Sequence, residues 1–319
     1  MESKKKLNIG IITYIYAINH GSILQAESVK HILKYLYPNS NIKYINYAPK
    51  RGLLKEIRYN IINPRPFSGF KIIYKFFRAI KKFEFWNNLV VTDDLNKIIK
   101  LYNKLNLDII SVGSDTVWEN RPKGVGYAPE PPNAYFISNS NVSKTNFISI
   151  SASSDRSIED SWPEKSVIPL KKMLNGFQFI SVRDSFTKKM LQNKFNASSY
   201  LTPDPTFFLD HDKIINSYKL PKKINKNFAV LDISDRKLSK RYSNLFKEKG
   251  LQTIAPMTNR FADLNLRGEI DPWQWALLHY NAKFVVTNRF HGTIFSIKGL
   301  TNFISIDQSF EYKKGAGSK

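Results

Sequence analysis

Short, wholly apolar runs alternate along this chain with segments whose apolar residues recur every three or four positions. The first pattern predicts buried strands and the second predicts amphipathic helices. Residues 7–13 read as a buried strand, followed by a loop ending near Gly21. Val29, Ile32, Leu33 and Leu36 then fall at i, i+3, i+4 and i+7 of a helix that Pro38 stops. Residues 42–47 form the expected second strand, and 107–112, 146–150, 177–182 and 199–201 give four more. A stretch rich in Pro, Asp and Lys covers 202–227, and a second series begins at the strand 228–233. Ser234 or Asp235 can cap a helix with Leu238, Tyr242, Leu245 and Phe246 on one face, closed by Gly250. Strands at 252–255 and 283–287 flank a helix near 273–280, and a helix at 293–298 precedes a last strand at 303–307. Strands alternating with helices in this way predict an α/β protein of mostly parallel sheets. The expected division is an N-terminal α/β lobe over 1–205, an interlobe connection over 206–226 and a C-terminal α/β lobe, truncated at its end, over 227–319.

Between residues 51 and 101 the pattern is helical, basic and aromatic, with Phe70, Tyr74, Phe76, Phe77, Phe83, Phe85 and Trp86 interleaved among Lys and Arg. At helical spacing such rings pack a core, while the same mixture suits a membrane surface or nucleic acid. The whole chain repeats the basic bias: 49 Lys plus Arg against 26 Asp plus Glu give +23 over 319 residues. A surplus of that size calls for anionic partners, among them phosphate- and carboxylate-bearing substrates. With no cysteine, thiolate metal sites, disulfides and cysteine nucleophiles are excluded. No apolar run reaches the roughly 18–20 residues that span a bilayer. The expected location is therefore cytoplasmic, with peripheral contact at the inner membrane face as a variant. The polar, glycine-containing stretch 311–319 reads as equally compatible with a truncated end and a natural one.

In open parallel sheets ligands sit beyond the carboxyl ends of strands, where helix N-termini favour anions. Applied here, that rule selects four places. After strand 283–287 come Arg289, a planar fork for phosphate or carboxylate, His291, a proton exchanger near neutral pH, and Gly292, which lets a ligand approach the backbone. Arg183 ends strand 177–182, with Asp184 or Ser185 placed to cap the next helix. After strand 107–112, Gly113 and Ser114 can form an anion nest, Asp115 can orient a sugar hydroxyl, and Trp118 either stacks on a sugar or fills the core. Asn19, His20, Gly21, Ser22 and Gln25 open the first helix. Pro203-Asp204-Pro205-Thr206 fits a rigid turn better than catalysis, and the five histidines show no metal-ligand spacing.

Taken in order, Asn19-His20-Gly21-Ser22-Ile23-Leu24-Gln25, Gly113-Ser114-Asp115-Thr116-Val117-Trp118, Ser181-Val182-Arg183-Asp184-Ser185, Asp204-Pro205-Thr206 and Arg289-Phe290-His291-Gly292 resemble the polysaccharide pyruvyl transferase family. Each motif is short, but five in order cover almost the whole chain. The resemblance implies a two-lobed fold like that of B-type glycosyltransferases. It also implies transfer of pyruvate from phosphoenolpyruvate to a saccharide as a ketal, in the synthesis of a cell-surface polysaccharide or glycan. By resemblance, Arg289 and Arg183 clamp the donor, His291 is the acid–base residue, and Gly292, Ser114, Asp115, Asn19 and Gly21 contact substrate. No metal or other cofactor is implied; phosphoenolpyruvate is the donor substrate, and a lipid-linked saccharide is one candidate acceptor. Family chains continue past Lys319, so the resemblance favours truncation there. The family often carries Glu where Asp184 stands, and the loop 119–134 is individual, so acceptor specificity does not carry over. Two other readings fit the same pattern: a sugar-nucleotide-dependent glycosyltransferase, and a basic protein that binds anionic polymers or membrane surfaces. Nucleic acid is the less favoured partner.

Overall fold

The computed structural model describes residues 6–62, 89–120, 130–154, 162 and 164–306, together with residues 70, 73, 74 and 78. Most of the aromatic segment 63–88, part of the individual loop and the stretch 307–319 lie outside the described residues. Two compact units are present: Met1–Asn63 with Ile80–Leu209, and Pro64–Ala79 with Asp210–Lys319. The chain passes from one to the other at Leu209, inside the segment expected to connect lobes.

The first unit is built on a six-stranded, all-parallel sheet in the order β2-β1-β5-β6-β7-β8. Its strands are β1 (Asn8–Ile12), β2 (Asn41–Tyr44), β5 (Ile109–Val112), β6 (Asn146–Ala152), β7 (Phe179–Val182) and β8 (Tyr200–Leu201). A small parallel pair, β3 (Tyr47–Ala48) with β4 (Val90–Val91), stands beside it. The expected strand 42–47 thus divides in two, since the chain leaves the sheet after Tyr44. Helices α1 (His20–Leu36), α2 (Lys50–Ile62), α3 (Leu95–Leu105), α4 (Glu164–Leu174) and α5 (Ser185–Phe195) connect these strands. Four of the five residues of β1, and all of β5, are buried, as befits central strands covered on both faces. Helix ends follow local chemistry. The Asn19 side chain accepts the Gly21 N–H to start α1, and Asp94 does the same for α3. Asn106 and Asn196 close α3 and α5 in left-handed conformations, with φ of 46° and 50°. Trp118 is fully buried, stacks on Phe136 and donates from Nε1 to the Tyr135 carbonyl at 2.9 Å. It is a core residue, and the sugar-stacking option closes.

The second unit carries a five-stranded parallel sheet in the order β11-β10-β9-β12-β13. These are β9 (Phe228–Asp232), β10 (Gln252–Ala255), β11 (Leu264–Asn265), β12 (Phe284–Thr287) and β13 (Phe303–Ser305). Its helices are α6 (His211–Ser217), α7 (Arg236–Glu248), α8 (Pro272–Asn281) and α9 (Phe290–Lys298). Of the two expected caps for α7, Asp235 serves, accepting the Leu238 N–H at 2.8 Å. Asp271 and Gln274 form a reciprocal capping box at the start of α8. The last helix begins earlier than the expected residue 293. Arg289 occupies its N-cap position without any side-chain capping bond, so no Ser, Thr or Asp marks the start in the sequence. His291 and Gly292 therefore lie within the first helical turn, not in a loop ahead of it.

Candidate active site

Each sheet has one point where successive connections depart in opposite directions, the place where open parallel sheets receive ligands. In the first sheet it lies between β1 and β5, whose ends pair as Ile12 with Val112. In the second it lies between β9 and β12, where Asp232 pairs with Thr287.

In the first unit the loops at this point are laced together. Thr13 Oγ1 donates to the Ser114 carbonyl at 2.8 Å, and the Tyr14 hydroxyl to the Thr116 carbonyl at 3.0 Å. Burial pushes the Tyr14 and Tyr16 hydroxyls well above their usual range, so both stay neutral donors. Ser114 is fully buried and gives its hydroxyl to the Ser151 carbonyl at 2.7 Å. That bond holds the loop and leaves the hydroxyl's lone pairs as acceptors. Gly113 has φ +101°, and a Cβ there would stand 2.8 Å from the Ile150 carbonyl oxygen. Gly113→Ala is therefore expected to lower stability by about 1–3 kcal/mol, read as a lower urea midpoint.

Asp115, half-buried, accepts from Ser22 Oγ at 2.7 Å, which ties the first turn of α1 to the β5 loop. Asn19 and Gly21 sit in that turn as cap and capped residue. Arg183 lies where β7 ends, its side chain 9% exposed. Its Nη1 donates to Asp204 at 2.9 Å, and its Nη2 stands 3.7 Å from Asp115. With its amide oriented so that the oxygen faces the guanidinium, Gln25 accepts from Arg183 at 2.9 Å and from the Asp115 N–H at 2.7 Å. The fold thus brings Ser114, Asp115 and Arg183 together in a network whose second acid, Asp204, reads from sequence as a mere turn. Asp204 also accepts from the Thr206 N–H at 3.0 Å and the Thr206 hydroxyl at 2.6 Å. Asp184 caps α5, accepting the Thr187 N–H at 2.6 Å and the Ser153 hydroxyl at 2.7 Å.

In the second unit the β12 loop brings Arg289, His291 and Gly292 to one helix start. The Arg289 N–H donates to Thr287 Oγ1 at 3.0 Å, which fixes the turn into α9. The Arg289 side chain is 54% exposed, with Nε 4.0 Å from Asp232. His291 is buried in the first turn, edge-on to the exposed Phe290 ring at 5.3 Å. Gly292 leaves room for Thr287 and His279; a Cβ would come 2.5 Å from Thr287 Oγ1 and 3.2 Å from His279 Nε2.

Two residues here were missed in the sequence. Asp232 ends β9 and is buried, and the fully buried His279 of α8 faces it, with Nε2 3.6 Å from Oδ2. His279 Nδ1 lies 2.9 Å from the Trp275 carbonyl; a carbonyl only accepts, so Nδ1 carries the proton and Nε2 is the edge turned to the acid. The strand-end rule that singled out the other loops applies equally to Asp232. His279 gives no such signal, being one polar residue in an aromatic helix. Among the described residues no group of three or more His, Cys, Asp or Glu is placed to hold a metal ion.

The polysaccharide pyruvyl transferase family matches residues 19–309. This chain belongs to that family. As a polysaccharide pyruvyl transferase it is an enzyme that uses phosphoenolpyruvate to pyruvylate a saccharide. No curated protein matches the chain. Among solved structures it is similar to a UDP-N-acetylglucosamine 2-epimerase, with a TM-score of 0.56 at 9% identity, covering 98% of this chain and 81% of that one. The S. aureus MnaA–UDP structure gives a TM-score of 0.50 at 11% identity, covering 98% of this chain and 82% of the other. At such low identity the likeness speaks for the fold alone: two Rossmann-like lobes with mostly parallel sheets, like the B-type glycosyltransferases.

Proposed function

We propose that the start of α9 is where this pyruvyl transferase receives an anionic group of phosphoenolpyruvate, and that His291 handles the proton. The observation that carries the reading is Arg289: an exposed guanidinium at the N-cap of a helix with no capping side chain, at a sheet switch point. The helix start offers positive dipole and N–H donors, and the guanidinium adds a planar fork matched to phosphate or carboxylate. In the reaction the methylene carbon of phosphoenolpyruvate takes a proton and the central carbon becomes electrophilic. One sugar hydroxyl adds there, phosphate leaves with a proton, and a second hydroxyl closes the ketal. His291 supplies the first proton or relays the one lost by the attacking hydroxyl.

In the first unit, Asp115 is the residue we assign to a sugar hydroxyl, with Asn19 and Gly21 supporting that edge through Ser22. Arg183 holds Asp204 firmly and Asp115 loosely, so a substrate anion that displaces the Asp115 carboxylate meets the same guanidinium. We place the reaction in the cytoplasm, supported by the cysteine-free composition; no helix among the described residues is long and apolar enough to cross a membrane.

The test is thermal stability with added ligand, because a ligand bound only to the folded state raises the melting temperature. Phosphoenolpyruvate is expected to raise Tm for the wild type and to do so far less for Arg289→Ala. Equal stabilisation of wild type and Arg289→Ala by phosphoenolpyruvate would take the anion site away from the start of α9.

A further inference from the structure

Helix α2 has no part in the site described above, yet its orientation is fixed and its outer face is unusual. Glu56, buried, accepts the Ile18 N–H at 3.1 Å, and Leu53 packs against the core of the first unit. These contacts leave Lys50, Arg51, Leu54, Ile57 and Arg58 exposed. At 100° per residue the five fall within one arc of roughly 120°. Leu54 is 56% and Ile57 41% exposed, flanked by the three cations. The helix's one acid, Glu56, points inward, so no negative charge interrupts the arc.

Two exposed aliphatic side chains framed by cations are costly in water and are not explained by solubility, which cations alone would serve. They match a lipid surface, where aliphatic tips enter the acyl boundary and Lys and Arg meet anionic headgroups. Nucleic acid would use the cations and leave Leu54 and Ile57 without a role, since stacking needs rings. A partner of opposite charge is also what a chain of +23 favours.

We propose that the outer face of α2 docks this enzyme onto an anionic membrane surface, with Leu54 and Ile57 inserted and Lys50, Arg51 and Arg58 on the headgroups. The assignment is independent of the donor site, and neither depends on the other being right.

The experiment is sedimentation of the full chain with vesicles of phosphatidylglycerol and phosphatidylcholine, against vesicles of phosphatidylcholine alone. The wild type is expected to bind the anionic vesicles and to lose them as salt rises. Lys50→Glu/Arg51→Glu/Arg58→Glu is expected to lower the partition coefficient at least about tenfold. A control with the same change in net charge, Lys237→Glu/Lys240→Glu/Arg241→Glu on the exposed face of α7, is expected to lower it much less. Leu54→Ser/Ile57→Ser keeps the charge and is expected to weaken vesicle binding several-fold. Equal losses in the α2 and α7 variants would show a general charge effect and overturn the assignment. So would anionic vesicles left unbound, or serine variants that bind as the wild type does. Preferential binding of an oligonucleotide that the α2 charge variant loses and the serine variant keeps would assign the face to nucleic acid instead.

Discussion

His291→Ala is expected to lower kcat for acceptor-dependent phosphate release by about 10²–10⁴-fold, the usual worth of a positioned acid–base group. The ring sits in the first turn of α9, held against Phe290 and screened from bulk water by its burial. A helix start fixes its backbone, so the imidazole is presented in one place and not sampled from a loop. Alanine is a good helix former, and α9 keeps its Thr287 anchor in the variant, so the loss should fall on turnover and leave the fold intact. Arg289→Ala should behave differently. Its guanidinium is exposed and, among the described residues, its one ion pair is a 4.0 Å contact with Asp232, so removing it costs little stability and mainly raises KM for phosphoenolpyruvate. Comparing the two variants separates proton handling from anion binding. A His291→Ala enzyme within a few-fold of wild-type kcat would remove that residue from the chemistry, even though the family's reaction stands.

The strands and their parallel arrangement could be read from the sequence because buried parallel strands are continuous apolar runs, and β1, β5, β9 and β12 are runs of that kind. The same pattern puts Ser114, Arg183 and Arg289 just beyond strand ends, where the structure has them, while His291 lies one step further on, inside the first turn of α9. Its failures have local causes. The sequence points to a start for α9 near residue 293, because the true start at Phe290 follows an N-cap, Arg289, that makes no side-chain capping bond. The split between β2 and β3, and the two-residue strand β11, are too short to produce an apolar period. Asp204 between two prolines looks like turn chemistry, and it does cap a 3-10 turn at Pro205–Phe208. Its second role, as partner of Arg183 across 21 positions, is tertiary and leaves no trace in local pattern. His279 is invisible for the same reason: only tertiary packing puts it beside Asp232.

Asp204→Ala is expected to cost the first unit about 3–5 kcal/mol, the penalty for stranding one member of a buried ion pair. The Asp204 side chain is 1% exposed and that of Arg183 9%, so water cannot replace the lost partner. The carboxylate also accepts both the N–H and the hydroxyl of Thr206, and alanine leaves these donors without it. Arg183→Ala should be nearly as damaging, since it leaves Asp204 and Asp115 in one buried network without their cation. Because the two residues act on one interaction, the double variant should cost clearly less than the summed single losses. Urea midpoints of the four proteins measure this directly. The exposed pair Lys247–Asp263, with side chains 44% and 37% exposed at 2.8 Å, provides the contrast: Lys247→Ala should cost no more than about 1 kcal/mol. Activity adds the functional half of the argument. Asp204→Asn keeps an acceptor for Thr206 but weakens the hold on Arg183, so it should disturb turnover more than its smaller stability loss accounts for. Additive single and double variants, each within about 1 kcal/mol of wild type, would mean that Asp204 does not fix Arg183, and the first-unit network would lose its organising contact.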